Sequence, residues 1–423
     1  MNIPLTHRLF IILSFITLTC NAIAQDRKAA QQTIIDLCSD DMAGRGYINN
    51  GDQKAADYIS NRFSKIGLLG TDKGYKLPFN LDVNTFPTAE LKIDDKELKP
   101  GLDYLVSTTS ASASGNFNVF FVSERLLTSP KVAKKVNKAV KRGYVPVICQ
   151  YDAKDEKLSK HIKNIRKCNA EATLIFLKDH LTWGVGTSQS KGTEIHLLDS
   201  LFDRFSKSVS LNIEAKFIQN YESQNVMGIV KGTKYPDSLI IFCGHYDHLG
   251  KMGESTFYGA NDNASGIAML LDMASYFAMN PQKYSIAFVA FGGEEAGLLG
   301  SLNYVKNPVF PLSQTKFVFN MDLMGSGEGG ATIVNGSVFK EDFDRLVTIN
   351  KNNAYLPSIK SRGKAANSDH YFFSEVGVSS FFIYLRGKYK HYHSPLDSPE
   401  NLQLGEYYDK SFLLIRDFII SLN

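Results

Sequence analysis

The apolar residues of this chain follow different patterns in different regions. From Asn225 to the C-terminus, short runs that are apolar almost throughout alternate with segments whose apolar residues recur at helical spacing. The runs are NVMGIV, SLIIFC, YSIAFVAF, KFVFN and SSFFIYL. Strands that are apolar on both faces are typical of parallel sheets covered by helices on either side. The pattern therefore predicts a three-layer α/β sandwich with a mixed, mostly parallel sheet.

Two earlier regions have a different pattern. Residues 25–80 contain two helical patterns joined by a Gly-containing loop, and the apolar stripe of the second runs from Ala55 to Ile66. Residues 81–215 alternate short strand patterns such as ATLIFL with polar loops and one basic helix, KVAKKVNKAVKR. We predict that residues 81–215 form a separate small α/β domain, called the insert below. Residues 25–80 and 216–423 would together form the larger domain.

Composition and charge exclude several classes of protein. Hydrophobic residues make up 43% of the chain and charged residues 21%, which is ordinary for a soluble globular protein. A formal net charge of +4 over 423 residues favours neither nucleic acid nor an acidic polymer as partner. We interpret the lysines of the basic helix as a solvated face.

The first 24 residues have the pattern of a signal peptide. His7 and Arg8 precede an apolar run from Leu9 to Leu18, and Ala22-Ile23-Ala24 then offers a cleavage site. The run is shorter than the roughly 20 apolar residues that span a membrane. We therefore expect an exported protein, periplasmic or extracellular, without stable membrane insertion after cleavage.

Cleavage after Ala24 would leave four cysteines, an even number that permits disulfides in an exported protein. Cys149 and Cys168 flank one segment and are the best candidates for a pair. Cys243 ends an apolar strand and is expected to be a small core residue.

Polar residues of one chemical kind follow the apolar strands of the larger domain. SLIIFC leads into GHYDHLG, YSIAFVAF into GGEEAGLLG, KFVFN into MDLMG, and SSFFIYL into a segment ending in HYHSPLD. The loop GANDNASG precedes a helical pattern, and AGLLGSLNYV, directly after Glu295, is predicted to form a helix packed on the same sheet. Because the carboxyl ends of parallel strands meet at one edge of a sheet, we expect these side chains to gather there. They are His245, Asp247, Asp262, Glu294, Glu295, Asp322, Tyr392 and His393.

Imidazole and carboxylate without cysteine form a ligand set that suits zinc and other divalent metals. Each residue alone also has a structural explanation: His245 as a hydrogen-bonded core histidine, Asp262 as a helix cap, and the pair Glu294 and Glu295 as acids in the first turn of a helix. A cluster of carboxylates in one cleft is unfavourable without cations. Their joint occurrence at successive strand ends therefore favours a metal site.

These motifs resemble those of the co-catalytic zinc exopeptidases of metallopeptidase family 28, which include secreted bacterial aminopeptidases. HYDHLG, GANDNASG, GGEEAGLLGS, NMDLMG, SDHYFF and YHSPLD occur in the order typical of that family. The resemblance extends to the N-terminal helices, through SDDMAGRG and KAADYISNRFSKIGL. The insert loosely resembles the protease-associated domain that some members carry.

The resemblance implies two zinc ions and assigns them five ligands. His245 and Asp322 would belong to the first ion, Glu295 and His393 to the second, and Asp262 would bridge the two. These assignments are carried over from the family motifs.

The resemblance also implies three catalytic roles. Glu294 would be the general base for a water that bridges the metals, Tyr392 would help to stabilise the oxyanion, and Asp247 would orient the imidazole of His245. The implied function is an exported two-zinc aminopeptidase acting on peptides. A carboxypeptidase and a glutaminyl-cyclase-like enzyme of the same superfamily stay open, and a non-catalytic binding protein is disfavoured because every expected ligand is present.

Several other polar residues lie near these motifs. For His248 and for the pair Asp369-His370 we expect either structural roles or contacts that support the metal ligands, and for His391 we expect solvent exposure. Asp397 is compatible with two roles, orienting His393 or capping the segment that follows it.

Overall fold

The structure is a computed structural model that describes residues 26–149, 154–177, 181–198, 200 and 206–422. Its helices are α1 (Arg27–Leu37), α2 (Gly51–Ile66), α3 (Glu124–Leu127), α4 (Val132–Val140), α5 (Glu156–Arg166), α6 (Ser265–Met279), α7 (Leu299–Lys306), α8 (Lys340–Asn353), α9 (His370–Glu375) and α10 (Glu406–Ser421). Its strands are β1 (Lys76–Ile93), β2 (Lys96–Leu98), β3 (Tyr104–Val106), β4 (Ala113–Val122), β5 (Tyr144–Ile148), β6 (Ala172–Leu177), β7 (Thr193–Leu198), β8 (Ser208–Val230), β9 (Tyr235–His245), β10 (Gly250–Met252), β11 (Ser255–Phe257), β12 (Tyr284–Phe291), β13 (Thr315–Met321), β14 (Gly330–Val334), β15 (Ile359–Ser361) and β16 (Ser380–Arg386).

The central sheet of the larger domain is mixed and mostly parallel. Its strand order is β15-β14-β16-β13-β9-β12-β8. β16, β13, β9 and β12 are mutually parallel, whereas β8 and β14 pair with this group in the antiparallel sense. The predicted apolar runs coincide with these strands, because a strand covered on both faces has no position left for polar side chains.

Helices cover both faces of this sheet. Successive residues of β9 alternate between two cores: Ile240 and Phe242 pack with α1, α2, α6 and α10, whereas Ile241 and Cys243 pack with α7 and α9. Side chains of a strand point alternately to opposite faces, so one apolar run supplies both cores. The structure confirms the predicted three-layer α/β sandwich.

The insert contains its own parallel strands, β4-β5-β6-β7, with β3 antiparallel at the edge. Helices α4 and α5 cover one face around a small apolar core. However, β1 and β8 pair in the antiparallel sense along almost their whole length, from Lys76 opposite Val226 to Ile93 opposite Val209. The predicted boundaries at residues 81 and 215 therefore fall inside two continuous strands.

Local details differ from prediction at two places. The helix expected directly after Glu295 begins only at Leu299, because Gly297 and Leu298 have positive φ angles of 106° and 62°. Cys149 and Cys168 are not joined in a disulfide. Cys243 is buried, as predicted.

The predicted signal peptide, residues 1–24, lies outside the described residues. Within the described ranges, no helix is both long and apolar enough to cross a membrane.

Candidate functional site

Two histidines and three carboxylates converge at one edge of the sheet. Nε2 of His245 lies 3.2 Å from Oδ1 of Asp262 and 3.5 Å from Oδ2 of Asp322. Nε2 of His393 lies 3.2 Å from Oδ2 of Asp262 and 3.3 Å from Oε2 of Glu295. The two oxygens of Asp262 therefore face two different imidazoles. The structure brings all five predicted metal ligands together.

Neighbouring parallel strands deliver most of these side chains. His245 is the last residue of β9, Glu294 and Glu295 follow β12, and Asp322 follows β13. β9 lies between β12 and β13 and is parallel to both, so the three carboxyl ends coincide. Asp262 comes from the loop before α6, and the remaining histidine comes from the segment after β16.

Asp247 holds the pair of glutamates in position. Its Oδ1 and Oδ2 accept the backbone N–H groups of Glu294 and Glu295 at 3.1 and 3.3 Å, and Oδ2 accepts the hydroxyl of Tyr47 at 3.2 Å. The sequence predicts that the Asp247 carboxylate orients His245, but its Oδ1 is 3.9 Å from Nδ1 of that imidazole. The contact at 3.1 Å from Nδ1 is the backbone carbonyl of Asp247. The carboxylate fixes the loop, and the carbonyl orients the imidazole.

The imidazole of His393 is oriented by the insert. Its Nδ1 lies 2.7 Å from the backbone carbonyl of Trp183, which directs Nε2 towards the carboxylates. The indole of Trp183 is buried, its Nε1 donates to the carbonyl of Val106 at 2.8 Å, and its ring lies 4.7 Å from that of Phe257. Tyr392 stacks on His393 with ring centroids 3.8 Å apart and is 53% exposed. The predicted oxyanion residue thus lies at the open side of the cluster.

His248 contacts a predicted metal ligand, which is one of the two roles expected for it. Its Nδ1 is 2.8 Å from Oε1 of Glu295, and its buried Nε2 has no hydrogen-bond partner among the described residues. Asp369 and His370 are buried, in line with structural roles. His391, predicted to be exposed, is half-buried with its ring 5.1 Å from that of Tyr389.

Asp397 holds the loop that carries a metal ligand. Its carboxylate accepts the backbone N–H groups of Asn261 and Asp262 at 2.8 and 3.0 Å and the hydroxyl of Tyr389 at 2.8 Å. This role differs from both predicted alternatives, orientation of His393 and capping of the following segment. The contact spans more than 130 residues of chain, and no local pattern predicts it.

Arg45 is a functional candidate that sequence reasoning missed. It is fully buried, and its guanidinium donates only to neutral acceptors, chiefly backbone carbonyls. The carbonyls belong to Leu37, Tyr246, Tyr258, Gly259 and Asp262, at 2.6 to 3.3 Å. The only available signal was an arginine between two glycines in SDDMAGRG. Arg45 ties α1 to the loops that present His245 and Asp262.

The charges of the cluster fit divalent cations. Ligand atoms of His245, Glu294 and Asp322 lie within 4.8 Å of one another, as do those of His245, Asp262 and Glu295. The ion pairs of these acids among the described residues involve histidine alone. Oδ1 of Asp322 is buried without a hydrogen-bond partner in the same part of the chain. Carboxylates that outnumber the cations around them are stabilised by a bound metal ion.

The pKa values follow from this crowding. Removal from water, together with the neighbouring Glu295, raises the pKa of Glu294 well above its usual value despite the positive charge of His245. Burial opposes the charged form of His393, but Glu295 and Asp262 raise its pKa to about 11. Both shifts have the same cause, the concentration of negative charge in a cluster removed from water.

Residues 225–416, which carry all of these ligands, match the model of Peptidase family M28. This part of the chain is an M28 peptidase domain. Aminopeptidase YwaD of Bacillus subtilis is 31% identical over 200 residues, which are 45% of this chain and 43% of that protein. A vacuolar membrane protease of Candida tropicalis is 26% identical over 206 residues, 48% of this chain and 22% of its own length. The chain thus spans less than half the length of these curated relatives.

Solved structures match over nearly the whole chain. The zinc aminopeptidase BSAP of Bacillus subtilis aligns with a TM-score of 0.68 at 22% identity, covering 94% of this chain and 95% of that one. An aminopeptidase from Aneurinibacillus sp. strain AM-1 aligns with a TM-score of 0.66 at 20% identity, covering 94% of each chain. These matches support the fold of the M28 domain and of the residues around it.

A cavity of about 190 Å³ opens over the cluster of the M28 domain. Its lining combines predicted ligand side chains with Tyr392, with residues of β16, and with residues of the loops after β13 and β15. The lining residues are His245, Asp262, Glu294, Asp322, Leu323, Arg362, Asn367, Phe382, Tyr384, Tyr392 and His393. The space is therefore bounded by acids and imidazoles on one part of its wall and by neutral side chains and one arginine on another.

Proposed function

We propose that this protein is an exported aminopeptidase that binds two zinc ions and hydrolyses N-terminal residues from peptides by way of a metal-bridging water. The main support for this proposal is the geometry of Asp262, whose Oδ1 and Oδ2 each lie 3.2 Å from a different histidine. A carboxylate that faces two imidazoles through separate oxygens has the arrangement of a bridging ligand. His245 and Asp322 would complete one metal site, and His393 and Glu295 the other.

The site residues divide the chemistry between them. When bound, zinc ions supply Lewis-acid polarisation of the peptide carbonyl and lower the pKa of the attacking water. Glu294 would accept a proton at its carboxylate and return it to the leaving amine. The Asp247 carboxylate accepts the backbone N–H of Glu294 and so keeps this glutamate in place. Tyr392, at the open side of the cluster, would donate a hydrogen bond to the oxyanion.

The choice of an aminopeptidase is supported by the relatives. The protein from Bacillus subtilis with 31% identity is named an aminopeptidase, as are both solved structures described above. A carboxypeptidase and a glutaminyl-cyclase-like enzyme are the alternatives within the superfamily. A carboxypeptidase would shorten the C-terminus, whereas a cyclase would change an N-terminal glutamine without cleaving a peptide bond, so the terminus and the bond that change distinguish them.

Export and the role of the insert are part of the proposal. The apolar run before Ala22-Ile23-Ala24 supports export by a cleaved signal peptide. The insert would narrow access to short peptides. Its Trp183 carbonyl contacts the ligand His393, which supports a location next to the substrate.

Mass spectrometry of peptide digests tests the function. Zinc-loaded protein is incubated with matched peptides that have a free N-terminus, an acetylated N-terminus or an amidated C-terminus. We expect stepwise loss of N-terminal residues from every peptide with a free N-terminus and no change in acetylated peptides. Protein treated with a chelator and then reloaded with zinc serves as the control, since activity should disappear and return.

Each other outcome has a definite meaning. Shortening from the C-terminus would identify a carboxypeptidase, and ammonia loss from an N-terminal glutamine without cleavage would identify a cyclase. No change in any peptide, with zinc bound, would leave a binding protein as the better description.

A further inference from the structure

The cavity over the metal ligands is lined by one basic side chain, Arg362. Around it are acids and imidazoles that are committed to the metal cluster, together with the neutral polar side chains of Asn367 and Tyr384. Arg362 is exposed, yet it lines the cavity that would receive peptides, so its charge is available to a substrate group that enters. Whether Arg362 can bind a substrate group depends on what holds it there and on whether its charge is already neutralised.

The backbone of Arg362 is fixed to the edge of the sheet. It follows β15, its N–H donates to the carbonyl of Ile333 at 2.9 Å, and its carbonyl accepts the N–H of Ser337 at 3.4 Å. Burial, with a smaller contribution from the positive charge of Arg362, lowers the pKa of His370 to about 3. The guanidinium therefore lies near the buried His370, whose ring is 5.4 Å from that of Phe382 in the cavity wall.

The charge of Arg362 is not neutralised within the described residues. The neighbouring Lys364 forms an ion pair with Glu375, whereas Arg362 has no carboxylate partner in the same part of the chain. In that part of the chain, the amide of Asn367 and the hydroxyl of Tyr384 likewise make no hydrogen bond. Three polar groups, one of them cationic, therefore face the cavity with their hydrogen-bonding capacity available.

Guanidinium binds carboxylate through two parallel hydrogen bonds, which are stronger than hydrogen bonds between neutral groups. The cavity volume of about 190 Å³ is below the roughly 300–1,000 Å³ of sites for drug-sized ligands. It has room for one side chain or the end of a very short peptide. A carboxylate brought there by the substrate would complement Arg362, while a lysine or arginine side chain would be repelled.

We propose that Arg362, with Asn367 and Tyr384, forms a carboxylate-binding subsite, so that the enzyme prefers substrates that place a carboxylate in this cavity. The inference rests on the proposed peptidase function and specifies its substrates. The carboxylate has two possible sources. One is the side chain of an N-terminal aspartate or glutamate, and the other is the free C-terminus of a dipeptide.

Two pairs of isosteric substrates distinguish the sources. Asp-Ala-Ala-amide is compared with Asn-Ala-Ala-amide, and Leu-Ala is compared with Leu-Ala-amide, by kcat/KM. The variants are Arg362→Gln and Arg362→Lys, and Lys360→Gln, an exposed cation on β15, is the matched control. Ratios within a pair are used because they do not depend on the fraction of folded enzyme.

We expect the wild-type protein and Lys360→Gln to favour the carboxylate member of one pair by about 10- to 100-fold. Arg362→Gln should reduce this ratio to about 1, and Arg362→Lys should give an intermediate value because ammonium lacks the planar fork. Discrimination within the first pair identifies the acidic side chain as the source, and discrimination within the second identifies the C-terminus. A ratio below about 2 in both pairs, or one that survives Arg362→Gln, overturns the proposal.

Failure of the proposed function is measured separately. If none of the four substrates is cleaved, calorimetry on the zinc-loaded protein compares binding of Asp-Ala-Ala-amide with Asn-Ala-Ala-amide, and of Leu-Ala with Leu-Ala-amide. A preference for the carboxylate member that is lost in Arg362→Gln would support the subsite without the activity. Equal binding within both pairs would reject the subsite as well.

Discussion

Two clusters of titratable groups, one in the insert and one in the M28 domain, differ in how their acids are balanced. In the insert, Glu194 accepts two hydrogen bonds from Arg166 at 2.7 and 2.8 Å and lies 2.9 Å from Nε2 of His196. Burial raises the pKa of Glu194, but these partners outweigh burial and lower it to about 2. In the M28 domain, burial and Glu295 instead raise the pKa of Glu294.

The difference shows which feature of a parallel sheet marks a site. The strands β4, β5, β6 and β7 of the insert are parallel, as are those of the M28 domain. Both groups of possible metal ligands found among the described residues nevertheless lie in the M28 domain. Balanced charges make a structural contact, whereas an excess of acids at the strand ends is stabilised by cations from solution. The excess of carboxylates, more than the topology, identifies the site.

The largest expected effect distinguishes Glu294 in the M28 domain from Glu194 in the insert. Glu294→Gln should reduce kcat by about 10²- to 10⁴-fold, because the amide cannot accept the proton, while zinc content is retained. Glu194→Gln, in the insert, should change kcat less than twofold. Steady-state kinetics and metal analysis of both proteins provide the test. Near-normal turnover in Glu294→Gln would contradict the proposed mechanism.

A second pair of variants compares two arginines. Arg45→Met removes a buried donor that five backbone carbonyls share, and should lower the free energy of unfolding by about 3 kcal/mol or more. Arg166→Met breaks a pair whose arginine side chain is 48% exposed, and should cost about 1 kcal/mol or less. Urea denaturation of both variants measures the difference. Equal losses of unfolding free energy in the two variants would contradict the stabilising role assigned to Arg45.

A third prediction concerns the contact between the two regions. Trp183 is the single tryptophan of the chain, and its carbonyl lies 2.7 Å from Nδ1 of His393. Titration of metal-free protein with zinc should therefore change the tryptophan emission. Trp183→Gly, which removes the buried indole anchor, should weaken zinc affinity by about 10- to 100-fold. Trp183→Phe, which keeps a buried ring, is the control, and a Gly variant that binds zinc as tightly as wild type would refute a positioning role.

The smallest expected effect is a difference in how Asp52 and Glu194 make the folding stability depend on pH. Burial of Asp52, partly offset by hydrogen bonds from Tyr221 and Ser223, raises its pKa to about 6. The folded state then holds the proton more tightly, so this group makes stability fall as pH rises from about 4 to about 6. Glu194, with its lowered pKa, has the opposite effect and loses its contribution as pH falls from about 4.5 to 2.

The unfolding free energies of Asp52→Asn and Glu194→Gln, measured against wild type across pH 3 to 7, give the two signs. The free energy of unfolding of Asp52→Asn should increase relative to that of wild type as pH rises to 6. The free energy of unfolding of Glu194→Gln should instead decrease relative to that of wild type over the same range. Slopes of the same sign would contradict the assigned pKa directions.

The sequence predicted the parts of the structure that follow from local patterns. β12 begins and ends where the run YSIAFVAF does, because a strand buried on both faces is apolar along its whole length. The helix behind it was predicted to begin too early, since the positive φ of Leu298 is a property of the turn and leaves no periodic trace. Secondary structure that depends on side-chain alternation is readable, and irregular backbone between elements is not.

The same division holds within the site. The five ligands lie together as predicted, because each follows a strand or a loop with a recognisable motif. The contacts of Arg45, Asp397 and Trp183 were not predicted. Each joins a side chain or carbonyl to the backbone or imidazole of a distant segment, and backbone acceptors have no identity in the sequence.

The continuous pairing of β1 with β8 has a mechanical consequence. Both strands begin on one side of the junction between the insert and the M28 domain and end on the other. Swinging the insert away would require breaking this ladder of backbone hydrogen bonds, so the ladder opposes hinge motion between the two regions. In the proposed peptidase, the insert would therefore keep the entrance to the site at a nearly fixed width, which would limit the size of the substrates that reach the metal ligands.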